Sequence, residues 1–252
     1  MIYKTKTNER TVELTINRPK VLNALDRETR NELLKALKEI RLDPSVHVVV
    51  ITGEGNKSFC SGVDIKEISR LSDSEINELV SMEHEFLKYV RNYPKPVIAK
   101  INGYALGSGL LLVMVADFSI SKSDAIFGMP EVSRGAAAGY ETALLLNYIG
   151  LAKTRALTIL GQKISGIEAE SWGLISHSVD YNILDDATNK LAKRLSEMNP
   201  NAIVCQKKLI NSWIENGPFE FVNDGINEIC EIIIKNKHYK SKKANLISNI
   251  FS

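Results

Sequence analysis

The sequence predicts an α/β protein in which strands and helices alternate and a helical section follows. Two observations carry this. β-branched or alternating apolar runs at residues 11–17, 47–55 and 95–103 have the character of strands. Between them lie stretches whose apolar residues recur at helical spacing. Alternation of this kind packs as α/β layers.

Each element has its own reason. In TVELTIN, residues 11–17, Val12, Leu14 and Ile16 alternate with polar side chains, the period of a half-buried strand. RPKVLNALD breaks that strand at Pro19, and Asp26 stands ready to cap a helix through residues 27–43. Leu33, Leu34, Leu37 and Ile40 fall on one face of that helix. HVVVITGEG, residues 47–55, is a β-branched run closed by a glycine turn, as in a buried strand. Residues 72–94 read as a helix capped by Ser72 or Ser74 and stopped by Pro94. KPVIAKING is the next strand, and NGYALGSGLLLVMVADF follows as turn, then helix. DFSISKSDAIFGMPE adds a strand and a loop, and from Glu141 the pattern is mainly helical. The break at MNPNAIV divides a core, residues 1–199, from a C-terminal helical section, residues 200–252.

Composition excludes several classes. The hydrophobic fraction is 44% and the charged fraction 25%, ordinary for a globular protein with a sizeable core. A formal net charge of +2 gives no electrostatic case for nucleic acid or a membrane surface. Cys60, Cys205 and Cys230 are odd in number and scattered, which fits a reducing cytoplasm and neither a disulfide framework nor a metal site. The start, MIYKTKTNER, lacks the apolar core of a secretory signal, and no apolar run reaches membrane-spanning length. His47, His84, His177 and His238 are dispersed without metal-ligand spacing.

The glycines of NGYALGSG pose the functional question. A helix beginning between Gly107 and Gly109 offers unpaired N–H groups and a positive dipole end to an anion or a polarised oxygen. The dinucleotide fingerprint fails because Leu112 stands where its third glycine belongs. The phosphate loop lacks its lysine, and a nucleophile elbow lacks its flanking glycines. Two readings remain from these residues: an oxyanion hole of backbone N–H groups, or a structural turn packed tightly on a sheet. SFCSGVDIKEI, residues 58–68, is a second small-residue loop after a buried strand. Two such loops can each donate one N–H to the same oxygen, which stabilises an enolate.

NRPKVLNAL, FCSGVDIKE, KPVIAKINGYALGSG and FGMPEVSRG, in this order and spacing, resemble the crotonase (enoyl-CoA hydratase/isomerase) superfamily. The resemblance runs from about residue 10 to 180 and includes SGIEAESWGLI. It implies a spiral of ββα units followed by C-terminal helices, assembled as a homotrimer or hexamer. It implies a coenzyme A thioester as substrate and no resident cofactor or metal. The oxyanion donors would be the backbone N–H groups of Val63 and Ser108. Lys66 would contact coenzyme A, with Lys20, Val21 and Ala24 near its adenine and pantetheine. Gly62, Asp64, Ile65 and Gly107 belong to the same binding stretches, Asp64 chiefly ordering its loop. Ser108 departs from the usual middle glycine, which is acceptable if its φ is negative.

The resemblance also locates the acid. Hydratases of this family use two glutamates; the position of the first is Leu111 here, and the second matches Glu131. A glutamate after proline, taken alone, reads as a helix-start or solvent residue; in this frame Glu131 becomes the acid/base. Phe127, Met129, Pro130 and Leu111 would desolvate it and raise its pKa. One carboxylate facing an enolate can carry a proton from C2 to C4, which is double-bond isomerisation. Hydration of a 2-enoyl-CoA, the alternative, needs a positioned water that Leu111 cannot bind. A further family acid position is Gly139. Leu111, Met129 and Tyr140 would line the acyl pocket. Glu141 is either a second acid or a first-turn carboxylate at a helix start. Asp117 reads as a local backbone partner.

Two readings of another class stand beside the enzyme. The chain can be a CoA-binding homologue with little activity, since one glutamate is missing. It can also bind RNA through the lysine-rich segment KNKHYKSKK, residues 235–243, though such runs are usually solvated termini.

Overall fold

The computed structural model describes the backbone of residues 2–216. The side chains of Tyr140, Glu141, Glu215 and Asn216 lie outside the description, as do residues 217–252 and with them the lysine-rich segment.

Seven strands and two long helices build the first half. β1 (Ile2–Asn8) pairs antiparallel with β2 (Thr11–Ile16). α1 (Arg27–Leu42) follows, then β3 (Val48–Gly53), β4 (Ser58–Cys60) and the short α2 (Ile65–Ile68). α3 (Asp73–Arg91) leads to β5 (Val97–Ile101), β6 (Tyr104–Leu106), α4 (Ser108–Val115) and β7 (Phe118–Lys122). The remaining elements are β8 (Ile126–Gly128), α5 (Leu145–Thr158), β9 (Lys163–Ser165), α6 (Gly166–Ser171), β10 (His177–Val179), α7 (Leu184–Ser196) and α8 (Pro200–Asn216). By contacts the chain forms two compact units that divide between Glu197 and Met198.

The six-stranded sheet has order β1-β2-β3-β5-β7-β10, parallel from β2 onwards. The second sheet, β4-β6-β8-β9, is made of three-residue strands. Each of β3, β5 and β7 is followed directly by a strand of the second sheet, so the chain winds forward as a spiral of strand pairs. This is the crotonase-like architecture that the sequence resemblance implies.

Local chemistry starts the helices as expected. The Thr29 N–H donates to the Asp26 carboxylate at 2.8 Å, and the Ser72 N–H donates to Glu75 Oε2 at 2.8 Å. Leu33, Leu37 and Ile40 of α1 join residues of β2, β3 and α3 in the main core. A smaller cluster of Val48, Val50, Ile98 and Ala192 covers the other face of the sheet beneath α7. Covering on both faces corrects the half-buried reading of residues 11–17. Thr11, Thr15 and Leu14 are all buried, and within β2 only Glu13 is intermediate. The Asp117 carboxylate accepts the Val97 N–H at 2.7 Å, a backbone partner twenty residues back in the chain, so it ties α4 to the start of β5.

Candidate active site

The site begins with strand ends. β3, β5 and β7 are parallel, and the short strands after them bring the loops at residues 60–64, 107–109 and 128–131 together. Leu25 and Val63 form an isolated parallel bridge. The Leu25 N–H donates to the Gly62 carbonyl at 2.8 Å, and the Asp64 N–H donates to the Leu25 carbonyl at 3.1 Å. In a parallel pair the residue between two such bonds turns its own N–H and carbonyl the other way. The Val63 N–H therefore points away from Leu25.

Ser108 opens α4, where the first N–H groups have no intrahelical acceptor. Among the described residues neither the Val63 nor the Ser108 N–H has a protein acceptor. The two loops touch: a Cβ at Gly62 would stand 3.4 Å from the Ser108 nitrogen. Two outward donors from touching loops can hold an oxygen on which negative charge develops.

The glycines now have distinct roles. Gly107, the N-cap of α4, has φ +53°, so the left-handed conformation falls there and Ser108 is spared it. Gly109 lets α4 approach β4, because a Cβ there would overlap the Cys60 carbonyl. Structural turn and outward donors are thus compatible; the sequence had left them as alternatives.

Glu131 stands over this corner. A Cβ on Gly107 would come within 2.5 Å of Glu131 Oε1, and Glu131 Oε2 is buried without a hydrogen-bond partner. Burial pushes the Glu131 carboxyl above the usual glutamate range. The negative charge of Glu83 pushes the same way, while its own backbone N–H and Arg134 oppose. Leu111 and Met129 are fully buried in the apolar cluster that also holds Phe127. Leu111 brings no hydrogen-bonding group to this wall.

Next to the Val63 loop runs a groove of about 930 Å³ lined by Val21, Asp64 and Lys66, in which Arg18, Arg27, Lys35 and Arg70 are balanced by Asp26, Glu28, Glu32 and Glu67. Lys20 and Val21 lie in the 3-10 turn at residues 19–21, and Lys20 is exposed. Ala24 is buried beside the Leu25–Val63 bridge, so it supports the groove from beneath. Ile65 is 52% exposed at the start of α2. Asp64 orders its loop: it accepts the Lys66 N–H at 3.0 Å and Arg18 Nη2 at 3.0 Å.

Sequence reasoning missed Arg18, which fastens the whole region. Its guanidinium also meets Asp26 at 2.7 Å and the Ala24 carbonyl at 2.6 Å. Partial burial works against ionisation of Asp26, but the Thr29 hydrogen bonds and Arg18 win and hold its carboxyl below the ordinary value. Asn23 was missed too. Left-handed at φ +56° and wholly buried, it accepts the Arg18 N–H and donates to the Glu54 and Ser58 carbonyls. The available signal was NRPKVLN itself, whose asparagine tolerates the left-handed region. Glu83, on α3, was also missed; nothing in its helix distinguishes it.

Comparisons with known proteins bear on the family and the fold. The family model described as enoyl-CoA hydratase/isomerase matches residues 6–223. The short-chain-enoyl-CoA hydratase of Clostridium acetobutylicum is 35% identical over 203 residues, spanning 80% of this chain and 78% of that one. The crotonyl-CoA hydratase of Syntrophomonas wolfei is 35% identical over 208 residues, spanning 82% and 80%. Among solved structures, the enoyl-CoA hydratase of Bacillus anthracis superposes with a TM-score of 0.84 at 28% identity over 91% of both chains. An enoyl-CoA hydratase subunit of Geobacillus kaustophilus gives 0.89 at 27% identity over 98% of this chain and 95% of that one. The chain belongs to the enoyl-CoA hydratase/isomerase family, within the crotonase superfamily. No helix among the described residues is long and apolar enough to cross a membrane.

Proposed function

We propose that the protein binds an enoyl-CoA thioester and moves its double bond, with Glu131 as the single acid/base. One observation carries the reading: the outward N–H groups of Val63 and Ser108 lie on touching loops beside the Glu131 carboxylate. In this reading they take the thioester oxygen and stabilise the enolate formed when Glu131 removes a C2 proton. Glu131, kept in an apolar corner, then returns that proton at C4. The groove along Val21, Asp64 and Lys66 receives coenzyme A, which is substrate and not a resident cofactor. Leu111 and Met129 face the acyl chain; the side chains of Tyr140, read from the sequence as pocket wall, and Glu141, read as second acid or helix-start carboxylate, lie outside the description.

Hydration is the second reading, favoured by a specific observation. Glu83 raises the proton affinity of Glu131 through its charge and has a buried carboxylate oxygen. It is a second acid near the corner that does not come from α4, and the relatives above are named hydratases. The deciding experiment supplies 2-enoyl- and 3-enoyl-CoA separately and follows water addition and double-bond migration. Migration without hydration supports the single-acid reading. Dominant hydration replaces it.

We further propose a homotrimer or hexamer, on the family resemblance, and a cytoplasmic location, on the scattered cysteines. Mass photometry of the purified full chain tests the first, and fractionation of the source cells the second.

A further inference from the structure

α1 turns residues 33, 37 and 40 toward the core, and helical spacing puts position 30 on that same face. An apolar side chain belongs there, yet the residue is Arg30. It is 2% exposed, and Nε, Nη1 and Nη2 are all buried without a hydrogen-bond partner. A buried guanidinium without an acceptor is heavily penalised, so its retention asks for an occupant.

The space for one is present. Arg30 lines a cavity of about 290 Å³ between α1 and α3. Tyr89 lines it too, and its hydroxyl is likewise buried and without a partner. Leu34, Met82 and Phe86 form apolar walls. Lys38 and Asn31 sit at the exposed rim with Glu85. Two residues from different helices thus line one cavity, with their unpaired donor atoms buried in its wall beside three apolar side chains.

We propose that this cavity is a binding subsite for a carboxylate, toward which the Arg30 guanidinium and the Tyr89 hydroxyl turn out of the wall. A planar carboxylate accepts two parallel bonds from the guanidinium fork, and a short hydrocarbon stem fits Leu34, Met82 and Phe86. The carboxylate can come from two sources. One is the distal end of a dicarboxylic acyl thioester, a source that rests on the acyl-CoA reading above. Phe86 belongs to the same apolar cluster as Leu111 and Met129, and Arg30 acts on the Cys60 thiol beneath the second loop. The other is a free short dicarboxylate entering between the helices, which requires nothing of that reading.

The test is equilibrium binding on the full-length protein, with no turnover involved. Glutarate is titrated into wild type, Arg30→Met and Tyr89→Phe, and the three proteins are titrated with glutaryl-CoA and with pentanoyl-CoA. A free-carboxylate site gives glutarate binding that Arg30→Met weakens by about tenfold or more, with both thioesters bound alike. An acyl-end site gives wild type a preference for glutaryl-CoA over pentanoyl-CoA of about tenfold or more, lost in Arg30→Met. Tyr89→Phe removes a single hydroxyl and weakens whichever binding is seen by several-fold; it decides the matter if Arg30→Met does not fold. No glutarate binding together with no thioester preference in wild type overturns the subsite. So does binding that the folded variants leave unchanged. Failure of both thioesters to bind wild type sinks the acyl-CoA reading instead, and the glutarate titrations still judge the subsite.

Discussion

A methyl group added to Gly107 would stand 2.5 Å from Oε1 of Glu131, so the glycine at the head of α4 and the buried carboxylate share one space. Gly107 also holds φ at +53°, which an L-residue adopts only under strain. Gly107→Ala should therefore do two things. Thermal unfolding should show a loss of about 1–3 kcal/mol. Turnover of enoyl-CoA should fall by more than about tenfold as the carboxylate is pushed aside. A variant with wild-type turnover would mean that Glu131 need not sit there.

Glu131→Gln separates catalysis from stability. Turnover should drop about 10²–10⁴-fold, with coenzyme A binding retained. Stability should move the other way. Because burial raises the folded-state affinity of Glu131 for a proton, wild type loses stability as pH rises from the ordinary glutamate value of 4.5 through the raised one. Glutamine cannot ionise, so the variant should unfold at a higher temperature than wild type at neutral pH, and the gap should close in acid. Melting curves across pH, alongside kinetics, measure both; a gap that widens toward low pH contradicts the burial argument.

Ser108→Pro deletes one N–H at the first position of a helix, where proline is tolerated. If that N–H holds the thioester oxygen, kcat should fall about 10²–10³-fold in a protein with unchanged circular dichroism. Ser108→Ala, which keeps the N–H, should be close to wild type. Equal losses in the two would assign the role to the hydroxyl.

Leu111→Glu should raise hydration of a 2-enoyl-CoA relative to isomerisation of a 3-enoyl-CoA. The new carboxylate would join the corner that holds Glu131 and offer water a second acceptor. Two nearby carboxylates repel, so one should hold a proton near neutrality, as hydration requires. The site is apolar and Leu111 is 2% exposed, so thermal unfolding is measured beside the kinetics. A folded variant without gain in hydration removes the case for Leu111 as the determinant.

The long elements were legible in the sequence because their physics is local. Asp26 and Ser72 begin their helices where capping chemistry places them, and the run at residues 48–53 is as fully buried as its β-branched content suggests. The second sheet was not legible, since three-residue strands such as Ser58–Cys60 are too short to display a period. β1 escaped for the opposite reason: most of its residues are exposed, so no apolar alternation marks it. Two strands near residues 163–179 were absorbed into a stretch read as helical. Within the candidate site, Val63, Ser108 and Glu131 were nominated through motifs, because the direction of a backbone N–H such as that of Val63 depends on the bridge to Leu25 and not on side-chain identity. Arg18 drew no reading from the sequence, because its three partners are spread over residues 24–64.

The bridge between Leu25 and Val63 has a consequence for how this protein can vary through evolution. Arg18 anchors the start of the segment, Asn23 fixes its turn, and Leu25 sets the facing of Val63. The number of residues between Arg18 and Leu25 is therefore constrained more tightly than their identities. Exchanging the exposed Lys20 for another residue leaves the ladder intact, but deleting one residue would put the neighbour of Leu25 opposite Val63 and turn the wrong N–H outward. Descendants of this gene should accumulate replacements at exposed positions such as Lys20 freely, and gains or losses of single codons hardly at all.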